Sequence, residues 1–205
     1  MNALYINLDE RPDKRAITEA EFAKHGLTVE RVSGIKGNPN GLQTVGKAGD
    51  VGCTLSHVKC IQLAKERGWD KVLIFEDDVA LRDNYGELFC NYVRQVPDDW
   101  DMVYLGGNHW GRDLSMRYNP MLYRISDNIA RTKHTLTTHA YIIRDSMYDA
   151  VIEHLGKASK QVDVMYADLQ DLYMVYTFRP SLAWQRPNRS DINGKDCDYY
   201  FIKEW

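Results

Sequence analysis

The sequence predicts an α/β domain with a mostly parallel central sheet flanked by helices. Strand-like and helix-like segments alternate along the chain, which is typical of this class. The run from Val72 to Phe75 is continuously apolar, as expected of a strand buried on both faces. With 205 residues, 44% of them hydrophobic, the chain is long enough for a substantial core, and we interpret residues 1–205 as a single domain.

In the first half of the chain, proline and glycine residues mark the starts and ends of the predicted helices. Pro12 suits the first turn of a helix and Gly26 its end, while Gly68 closes a second helix. Apolar runs between these helices predict the strands. The predicted elements are strands at residues 3–8, 28–32 and 71–75 and helices at residues 12 to 24 or 25 and 52–67, with a loop rich in Gly and Asn at residues 34–49.

The second half continues the alternation. A glycine pair, Gly106 and Gly107, ends a short apolar strand, and Asp145 can cap a helix that stops near Gly156. Residues 187–205 are polar and aromatic, and we predict an irregular segment there. The other predicted elements are helices at residues 84–94 and 163–172 and strands at residues 101–105, 135–143 and 175–178.

Charge and composition argue against several classes of protein. The chain has a net charge of −3, whereas nucleic acid binding favours a basic surface, so we do not expect a nucleic-acid-binding protein. No apolar run is long enough to cross a bilayer and the N-terminus has no secretory pattern, so we expect a cytoplasmic protein whose only membrane contact would be peripheral. The four cysteines form no metal-binding pattern and are interpreted as reduced thiols: Cys53, Cys60, Cys90 and Cys197.

Three adjacent carboxylates, Glu76, Asp77 and Asp78, follow directly after the buried strand. Ligands of α/β sheets bind beyond the carboxyl ends of the strands. In an extended chain Glu76 and Asp78 point to one side and Asp77 to the other. A divalent cation such as Mg²⁺ or Mn²⁺ would relieve the repulsion between the acids, whereas a polar strand end with solvated acids is the plainer alternative.

Six motifs in a fixed order identify a resemblance that covers nearly the whole chain. Together they resemble glycosyltransferase family 25, the family of lipooligosaccharide galactosyltransferases and collagen hydroxylysine galactosyltransferases. The motifs are YINLDERPDKR (Tyr5 to Arg15), GDVGCTLSH (Gly49 to His57), WDKVLIFEDDV (Trp69 to Val79), THAYII (Thr138 to Ile143), VDVMYADL (Val162 to Leu169) and RPSLAWQRPNRSDI (Arg179 to Ile192).

The resemblance implies a GT-A-type fold with Rossmann-like binding of a nucleotide sugar. It further implies inverting transfer of a hexose, galactose first among them, from a UDP-sugar to a hydroxyl of a glycan, lipooligosaccharide or other lipid-linked glycan, or protein. Mn²⁺ or Mg²⁺ is the implied cofactor. Two residues depart from the family pattern: Asp50 stands where the family has Glu, and Gln161 where it commonly has Pro.

The resemblance makes Asp78 the main metal ligand, with Glu76 beside it. We expect Asp191 to help hold the metal or the pyrophosphate. Glu76 or Asp77 would then contact the ribose or a water bound to the metal. For Asp191, a turn-forming residue of the C-terminal tail is the alternative.

Several residues are candidates for binding the donor. The backbone at the end of the first strand can hydrogen-bond a uracil, and the arginines that follow it can pair with phosphates. The alternative is that the charged residues after this strand belong to a helix start. Small residues at a helix N-terminus let a phosphate approach backbone N–H groups. His57 is alternatively a packed core histidine. The candidates are Asn7, Leu8, Asp9, Arg11, Arg15, Gly49, Asp50, Gly52, Ser56, His57, Glu76 and Asp77.

An inverting transfer needs a general base to take the proton of the attacking hydroxyl. We predict Asp163 for this role, with Asp168 in reserve; a helix N-cap is the alternative for Asp163. His139, inside an apolar strand, equally fits a core histidine. Four aromatic residues could stack on sugar rings or belong to the core: Trp100, Tyr104, Trp110 and Trp184.

Two other functions remain as alternatives. Clustered acids also serve metal-dependent phosphohydrolases and nucleases, which would release phosphate or nucleotide without an acceptor. A catalytically silent module that keeps only nucleotide-sugar binding is the second alternative, and the presence of candidates for both a metal site and a base speaks against it.

Overall fold

The chain is built around an eight-stranded mixed sheet in the computed structural model, which describes residues 1–109, 122–192 and 194–204. Trp110, one of the aromatic candidates, lies outside these residues. The strands of the large sheet are β1 (Ala3–Asn7), β2 (Glu30–Ser33), β3 (Lys71–Glu76), β5 (Met102–Tyr104), β6 (Leu122–Arg124), β7 (Ile129–Thr132), β8 (Ala140–Arg144) and β9 (Val175–Phe178). Two strand pairs lie outside it, β4 (Val79–Leu81) with β10 (Ala183–Gln185), and β11 (Asn188–Arg189) with β12 (Asp196–Cys197).

The sheet has the strand order β2-β1-β3-β8-β5-β9-β7-β6. β1 pairs in parallel with β2 and β3, and β5 pairs in parallel with β9, whereas β8 and β7 are antiparallel to their neighbours. All described strands of this sheet except β8 and β7 therefore run in one direction. The prediction of an α/β domain with a mostly parallel sheet is confirmed, although the antiparallel β8 lies at its centre.

Five α-helices flank the sheet in the described part of the chain. Pro12 opens the first helix, and Gly26, with φ of 65°, ends it; Gly68, with φ of 66°, ends the second in the same left-handed conformation. Short 3₁₀ segments occupy Asp145–Met147 and Tyr200–Glu204. The helices are α1 (Pro12–Lys24), α2 (Ala48–Glu66), α3 (Tyr85–Val93), α4 (Tyr148–Leu155) and α5 (Val162–Leu169).

The hydrophobic core lies on both faces of the sheet, which explains the unbroken apolar run of β3. Val72 and Ile74 pack with α2, α4 and α5 on one face. Leu73 and Phe75 pack with α1 and α3 on the other, where the rings of Phe75 and Phe22 lie 5.1 Å apart. Successive side chains of a strand point to opposite faces, so a strand covered on both sides needs apolar residues at every position.

Two predicted element starts and one predicted irregular segment are wrong. The strand predicted to start at residue 135 starts at Ala140, because His134 and Thr137 have φ values of 56° and 72° that take the chain out of the sheet. Helix α2 starts at Ala48, before the predicted residue 52. The C-terminal segment, predicted to be irregular, contains β11, β12 and a 3₁₀ segment. In the part of the chain that the structure describes, no helix combines the length and the apolar character needed to cross a bilayer.

Candidate active site

A cavity of about 780 Å³ opens at the carboxyl ends of β1 and β3. Its volume falls within the range of small-molecule sites, roughly 300–1,000 Å³. Its walls come from the β1–α1 junction, the loop before α2, the first turns of α2 and α5, and residues 185–199 of the C-terminal segment. The strand ends thus place the acidic triplet where α/β sheets bind their ligands.

Asp78 is a half-buried residue whose carboxylate has one oxygen without a hydrogen-bond partner among the described residues. Its Oδ2 accepts hydrogen bonds from Gln185 Nε2 at 3.2 Å and Asn188 Nδ2 at 3.0 Å. Its Oδ1 is buried and has no hydrogen-bond partner among the described residues. Burial, with the nearby charge of Glu76, raises the pKa of Asp78 to about 7. A cation at Oδ1 would satisfy this carboxylate.

Glu76 is surrounded by donors instead. Thr138 Oγ1 donates to Glu76 Oε1 at 2.7 Å, and His57 Nε2 lies 3.4 Å from the same oxygen, long for a hydrogen bond. Burial alone would raise the pKa of Glu76, but these donors outweigh it and hold the pKa below its ordinary value. Glu76 therefore stays ionised beside the more easily protonated Asp78.

A buried chain of hydroxyl groups orients His57. His57 Nδ1 lies 2.9 Å from Tyr141 Oη, which lies 2.9 Å from Tyr166 Oη. If the tyrosines donate in sequence toward Nδ1, the imidazole proton is on Nε2 and faces Glu76. His57 is one of the residues that line the cavity, as the donor-site prediction requires. It is also fully buried, as the core alternative requires.

The side chain of Asp77 points away from those of Glu76 and Asp78, as the alternation of an extended chain predicts. Asn7 Nδ2 donates to Asp77 Oδ2 at 2.8 Å, and Lys14 Nζ lies 3.6 Å from Asp77 Oδ1. Burial raises the pKa of Asp77, although Lys14 and Asn7 oppose the shift. Asn7 and Asp77 thus join the ends of β1 and β3 at the cavity wall.

Two cations of the β1–α1 junction hold Asp191. Arg11 forms an ion pair with Asp191, and Lys14 Nζ lies 2.8 Å from Asp191 Oδ2. Lys14 is only 9% exposed and lines the cavity, although the sequence did not single it out. The prediction that Asp191 is a metal ligand disagrees with this arrangement, because its carboxylate is directed to Arg11 and Lys14.

The first turns of α2 are capped by Asp50 and packed closely against neighbouring segments of the chain. Asp50 Oδ2 accepts the backbone N–H of Lys47 at 2.6 Å and caps the helix. A Cβ at Gly49 would lie 3.0 Å from Ile192 Cα, and one at Gly52 only 2.3 Å from Ile35 O. These glycines allow close packing of neighbouring segments, which corrects the expectation that they leave room for a phosphate.

Asp163 lies at the cavity in the first turn of α5. Its Oδ1 accepts the backbone N–H of Val164 at 2.8 Å, and its Oδ2 accepts that of Thr137 at 3.2 Å. Burial raises the pKa of Asp163 despite these two donors. A half-buried carboxylate of raised pKa in a cavity suits a general base.

Four predicted site residues do not line the cavity. Asp9 pairs with Arg31 and accepts from Ser33 Oγ at 2.8 Å. Arg15 pairs with Glu19 at 2.9 Å on the exposed side of α1. The reserve base Asp168 accepts from Lys160 Nζ at 3.0 Å, and Gly52 packs under the loop before α2. The remaining predicted residues line it: Asn7, Leu8, Arg11, Gly49, Asp50, Ser56, His57, Glu76, Asp77, Asp78, Asp163 and Asp191.

The oxygen atoms around Asp78 fit a hard divalent cation. Asp78 Oδ1 and Gln185 Oε1 are both buried and unpaired among the described residues, and Glu76 lies close enough to shift the pKa of Asp78. No group of three or more His, Cys, Asp or Glu residues that could hold a metal occurs within residues 1–109, 122–192 and 194–204. Mg²⁺-type ions are commonly held by one or two carboxylates together with substrate phosphates and water. Asp78, Glu76 and the Gln185 amide could hold such an ion.

The family model described as Glycosyltransferase family 25 (LPS biosynthesis protein) matches residues 1–166. The chain belongs to this family. The match includes the strand that carries the acidic triplet and Asp163, so the resemblance seen in the sequence motifs is confirmed.

Curated relatives of the family-25 chain are similar to it over about half of its length. Human "Inactive glycosyltransferase 25 family member 3" is 30% identical over an alignment of 125 positions, and the alignment covers 49% of this chain and 21% of that protein. "Procollagen lysyl hydroxylase and glycosyltransferase" of Acanthamoeba polyphaga mimivirus is 31% identical over an alignment of 130 positions, which covers 49% of this chain and 14% of that protein. The chain therefore spans only a small part of the length of these relatives.

Solved structures with a similar arrangement are more distant. A glycosyltransferase involved in glycosylation of the major capsid of PBCV-1 has 8% identity and a TM-score of 0.46, covering 76% of this chain and 64% of that one. A197 from STIV has 10% identity and a TM-score of 0.47, covering 92% and 87%.

Sequence reasoning missed several polar residues of the family-25 cavity. Thr138 and Asn188 bond the two central acids, and both lie inside motifs that the sequence already marked. Tyr199 is the aromatic residue that lines the cavity, whereas Trp100, Tyr104 and Trp184 do not. His139 is a buried core residue whose Nε2 lies 3.1 Å from Ala183 O. Long-range contacts of the C-terminal segment, which no local pattern encodes, account for most of these omissions.

Proposed function

We propose that this family-25 chain transfers a hexose, galactose foremost, from a UDP-sugar to a hydroxyl of a glycan, lipooligosaccharide, lipid-linked glycan or protein, with inversion and with Mn²⁺ or Mg²⁺ as cofactor. One observation carries the proposal: Asp78, whose buried Oδ1 has no hydrogen-bond partner among the described residues, lies beside Glu76 in a cavity at the strand ends. The four cysteines are free thiols, which suits a reaction in the cytoplasm.

The metal would be held by Asp78 and Glu76, with Gln185 as an amide ligand. When bound there, a divalent cation supplies charge that neutralises a diphosphate leaving group. Asn188 holds Asp78 in place by bonding its Oδ2. Thr138 holds Glu76 from the protein side by a hydrogen bond, and His57 lies 3.4 Å from the same oxygen.

The donor diphosphate would be contacted by Arg11 and Lys14. The carboxylate of Asp191, which both residues bind, shows that an anion can lie against this wall of the cavity. A phosphate oxygen could share or replace that contact, and charged hydrogen bonds to a phosphate are the strong kind. Asn7 and Leu8 at the end of β1 lie on the same wall, where they could contact the uridine.

Asp163 would accept the proton of the acceptor hydroxyl. Its two backbone donors fix both carboxylate oxygens, so the group is oriented before the substrate arrives. An inverting displacement needs one such base and no covalent intermediate. The attacking oxygen would bond to the anomeric carbon as the bond to the diphosphate breaks, and the proton would pass to Asp163.

A silent binding module is the second candidate, because the human relative is named inactive. Such a module would bind UDP with the metal but transfer no sugar. A phosphohydrolase would instead release phosphate without any acceptor. A screen of UDP-galactose, UDP-glucose, UDP-N-acetylglucosamine and GDP-sugars, with Mn²⁺ and with a panel of hydroxyl acceptors, separates these outcomes.

We expect UDP to bind in the presence of Mn²⁺ and to bind much more weakly in the presence of EDTA. The reason is that the unpaired oxygen of Asp78 and the charge of Glu76 could hold a divalent cation, whose charge would favour binding of the diphosphate. Isothermal titration calorimetry with and without Mn²⁺ measures the difference. Equal binding under both conditions would contradict metal dependence, and no binding under either would contradict the proposed function.

We expect Lys14→Met to weaken UDP binding by roughly 10- to 100-fold, the value of a charged hydrogen bond. Lys14 lines the cavity and is nearly buried beside Asp77 and Asp191. Arg15→Met, which removes the neighbouring exposed cation of α1, should change the affinity by less than about twofold. Calorimetry on both variants in Mn²⁺ tests the pair; equal losses would show that Lys14 acts only through net charge.

A further inference from the structure

Thr137 has a backbone conformation that is rare for its residue type. Its φ is 72°, in the left-handed region that favours glycine, and a β-branched residue there is a genuine outlier. The conformation is held from both sides, because the N–H of Thr137 donates to Asp163 and the hydroxyl of Thr138 donates to Glu76. Strain of this kind persists where the surroundings impose it, and it concentrates at functional sites.

The side chain of Thr137 gives an independent observation. Thr137 is 8% exposed and lines the cavity, yet its Oγ1 has no hydrogen-bond partner among the described residues. A hydroxyl can donate one hydrogen bond and accept two, and leaving it buried and unpaired is costly. A polar ligand in the cavity would supply the missing partner.

The position of Thr137 indicates which part of a ligand it meets. Its own N–H is bonded to Asp163, which would take the acceptor proton, and the hydroxyl of the next residue, Thr138, is bonded to Glu76, one of the carboxylates that would hold the metal. In an inverting displacement the leaving diphosphate and the attacking oxygen lie on opposite sides of the anomeric carbon, so the transferred ring lies between the two carboxylates. We propose that Thr137 Oγ1 hydrogen-bonds a hydroxyl of the donor hexose and contributes to sugar recognition, an inference that rests on the proposed function.

The experiment compares UDP-galactose and UDP-glucose with UDP by calorimetry in Mn²⁺. Thr137→Val keeps the shape and the β-branch but removes the hydroxyl, so it should bind at least one UDP-hexose about tenfold more weakly while UDP affinity stays unchanged. Thr137→Ser keeps the hydroxyl and should stay within about threefold of wild type. Thr137→Gly relieves the strained conformation without restoring the hydroxyl and should behave as Thr137→Val does, with thermal unfolding confirming that each variant folds.

The outcomes separate this inference from the proposed function. If Thr137→Val binds both UDP-hexoses within twofold of wild type, or loses UDP affinity to the same extent, the hydroxyl does not recognise the sugar and this inference fails alone. If Thr137→Gly restores wild-type affinity for the hexoses, the residue acts through its backbone and the inference again fails. If wild type binds no UDP with Mn²⁺, the proposed function fails and this inference with it.

Discussion

Asp78→Asn is expected to lower kcat/KM for hexosyl transfer on the order of 10³-fold, which corresponds to about 4 kcal/mol of transition-state stabilisation. The substitution keeps the size of the side chain and one oxygen that can accept from Gln185 and Asn188. It replaces the charged oxygen that would face the cation with a neutral NH₂ group. The gain in UDP affinity on adding Mn²⁺ should disappear as well. Initial rates with UDP-galactose and calorimetry with UDP measure the two effects.

The matched control for this prediction is Asp83→Asn. Asp83 lies five residues further along the chain, is exposed and pairs with Lys24 outside the cavity. Its replacement should leave both turnover and Mn²⁺-dependent binding unchanged. If Asp78→Asn behaves as this control does, the metal does not bind at the acidic triplet.

The same substitution should have the opposite effect on the stability of the metal-free protein. Because burial and Glu76 raise the pKa of Asp78 from 3.8 to about 7, the folded protein keeps the proton at pH values where the unfolded chain has released it. The stability contributed by this group therefore falls as the pH rises from about 4 to about 7 and stays low above that range. Asp78→Asn should raise the melting temperature in EDTA, and the increase should be larger at pH 8 than at pH 5.

The acidic triplet was predictable because local pattern and position agree. The apolar run of β3 indicates a strand buried on both faces, and the acids that follow it necessarily lie at the carboxyl end of that strand. Alternation along the chain also predicted that Asp77 points away from Glu76 and Asp78, and its contacts with Asn7 and Lys14 agree.

The burial of Lys14 could have been predicted from the helical periodicity of α1, although charge alone does not distinguish Lys14 from Arg15. Arg15 was chosen as the donor-binding cation of α1, but the helix buries Lys14, Thr18 and Phe22 in one stripe with a spacing of four. This spacing puts Lys14 on the same face as a core phenylalanine, while Arg15 lies one step, about 100°, around the helix. Helical periodicity therefore separates the two neighbouring cations.

The roles of Asp191 and Thr137 could not be predicted in this way. Asp191 reaches Arg11 and Lys14 only because the C-terminal segment returns across the start of α1, a contact between residues about 180 positions apart in sequence. Thr137 occupies a left-handed conformation that its residue type disfavours, so local preference indicates a strand there instead. Both features come from tertiary contacts that override local sequence.

Asp163→Asn is expected to lower kcat about 10²- to 10⁴-fold, the usual contribution of a general base, while UDP affinity in Mn²⁺ stays close to that of wild type. An asparagine has one oxygen, which can accept the N–H of either Thr137 or Val164 but not both as the two carboxylate oxygens do, and it cannot take the proton of the acceptor hydroxyl. Because burial raises the pKa of Asp163, the wild-type rate should fall on the acid side of that raised pKa. In saturating Mn²⁺, which would keep Asp78 ionised, this acid limb should be absent from the pH profile of the variant.

Asp168→Asn is the matched control on the same helix. Asp168 is bonded to Lys160 and does not line the cavity, so its replacement should preserve both the rate and the acid limb. A structural defect in α5 would affect the two variants alike, whereas loss of the base affects only Asp163→Asn. If the Asp168 variant loses the acid limb and the Asp163 variant keeps it, the reserve residue is the base and the assignment of Asp163 is wrong.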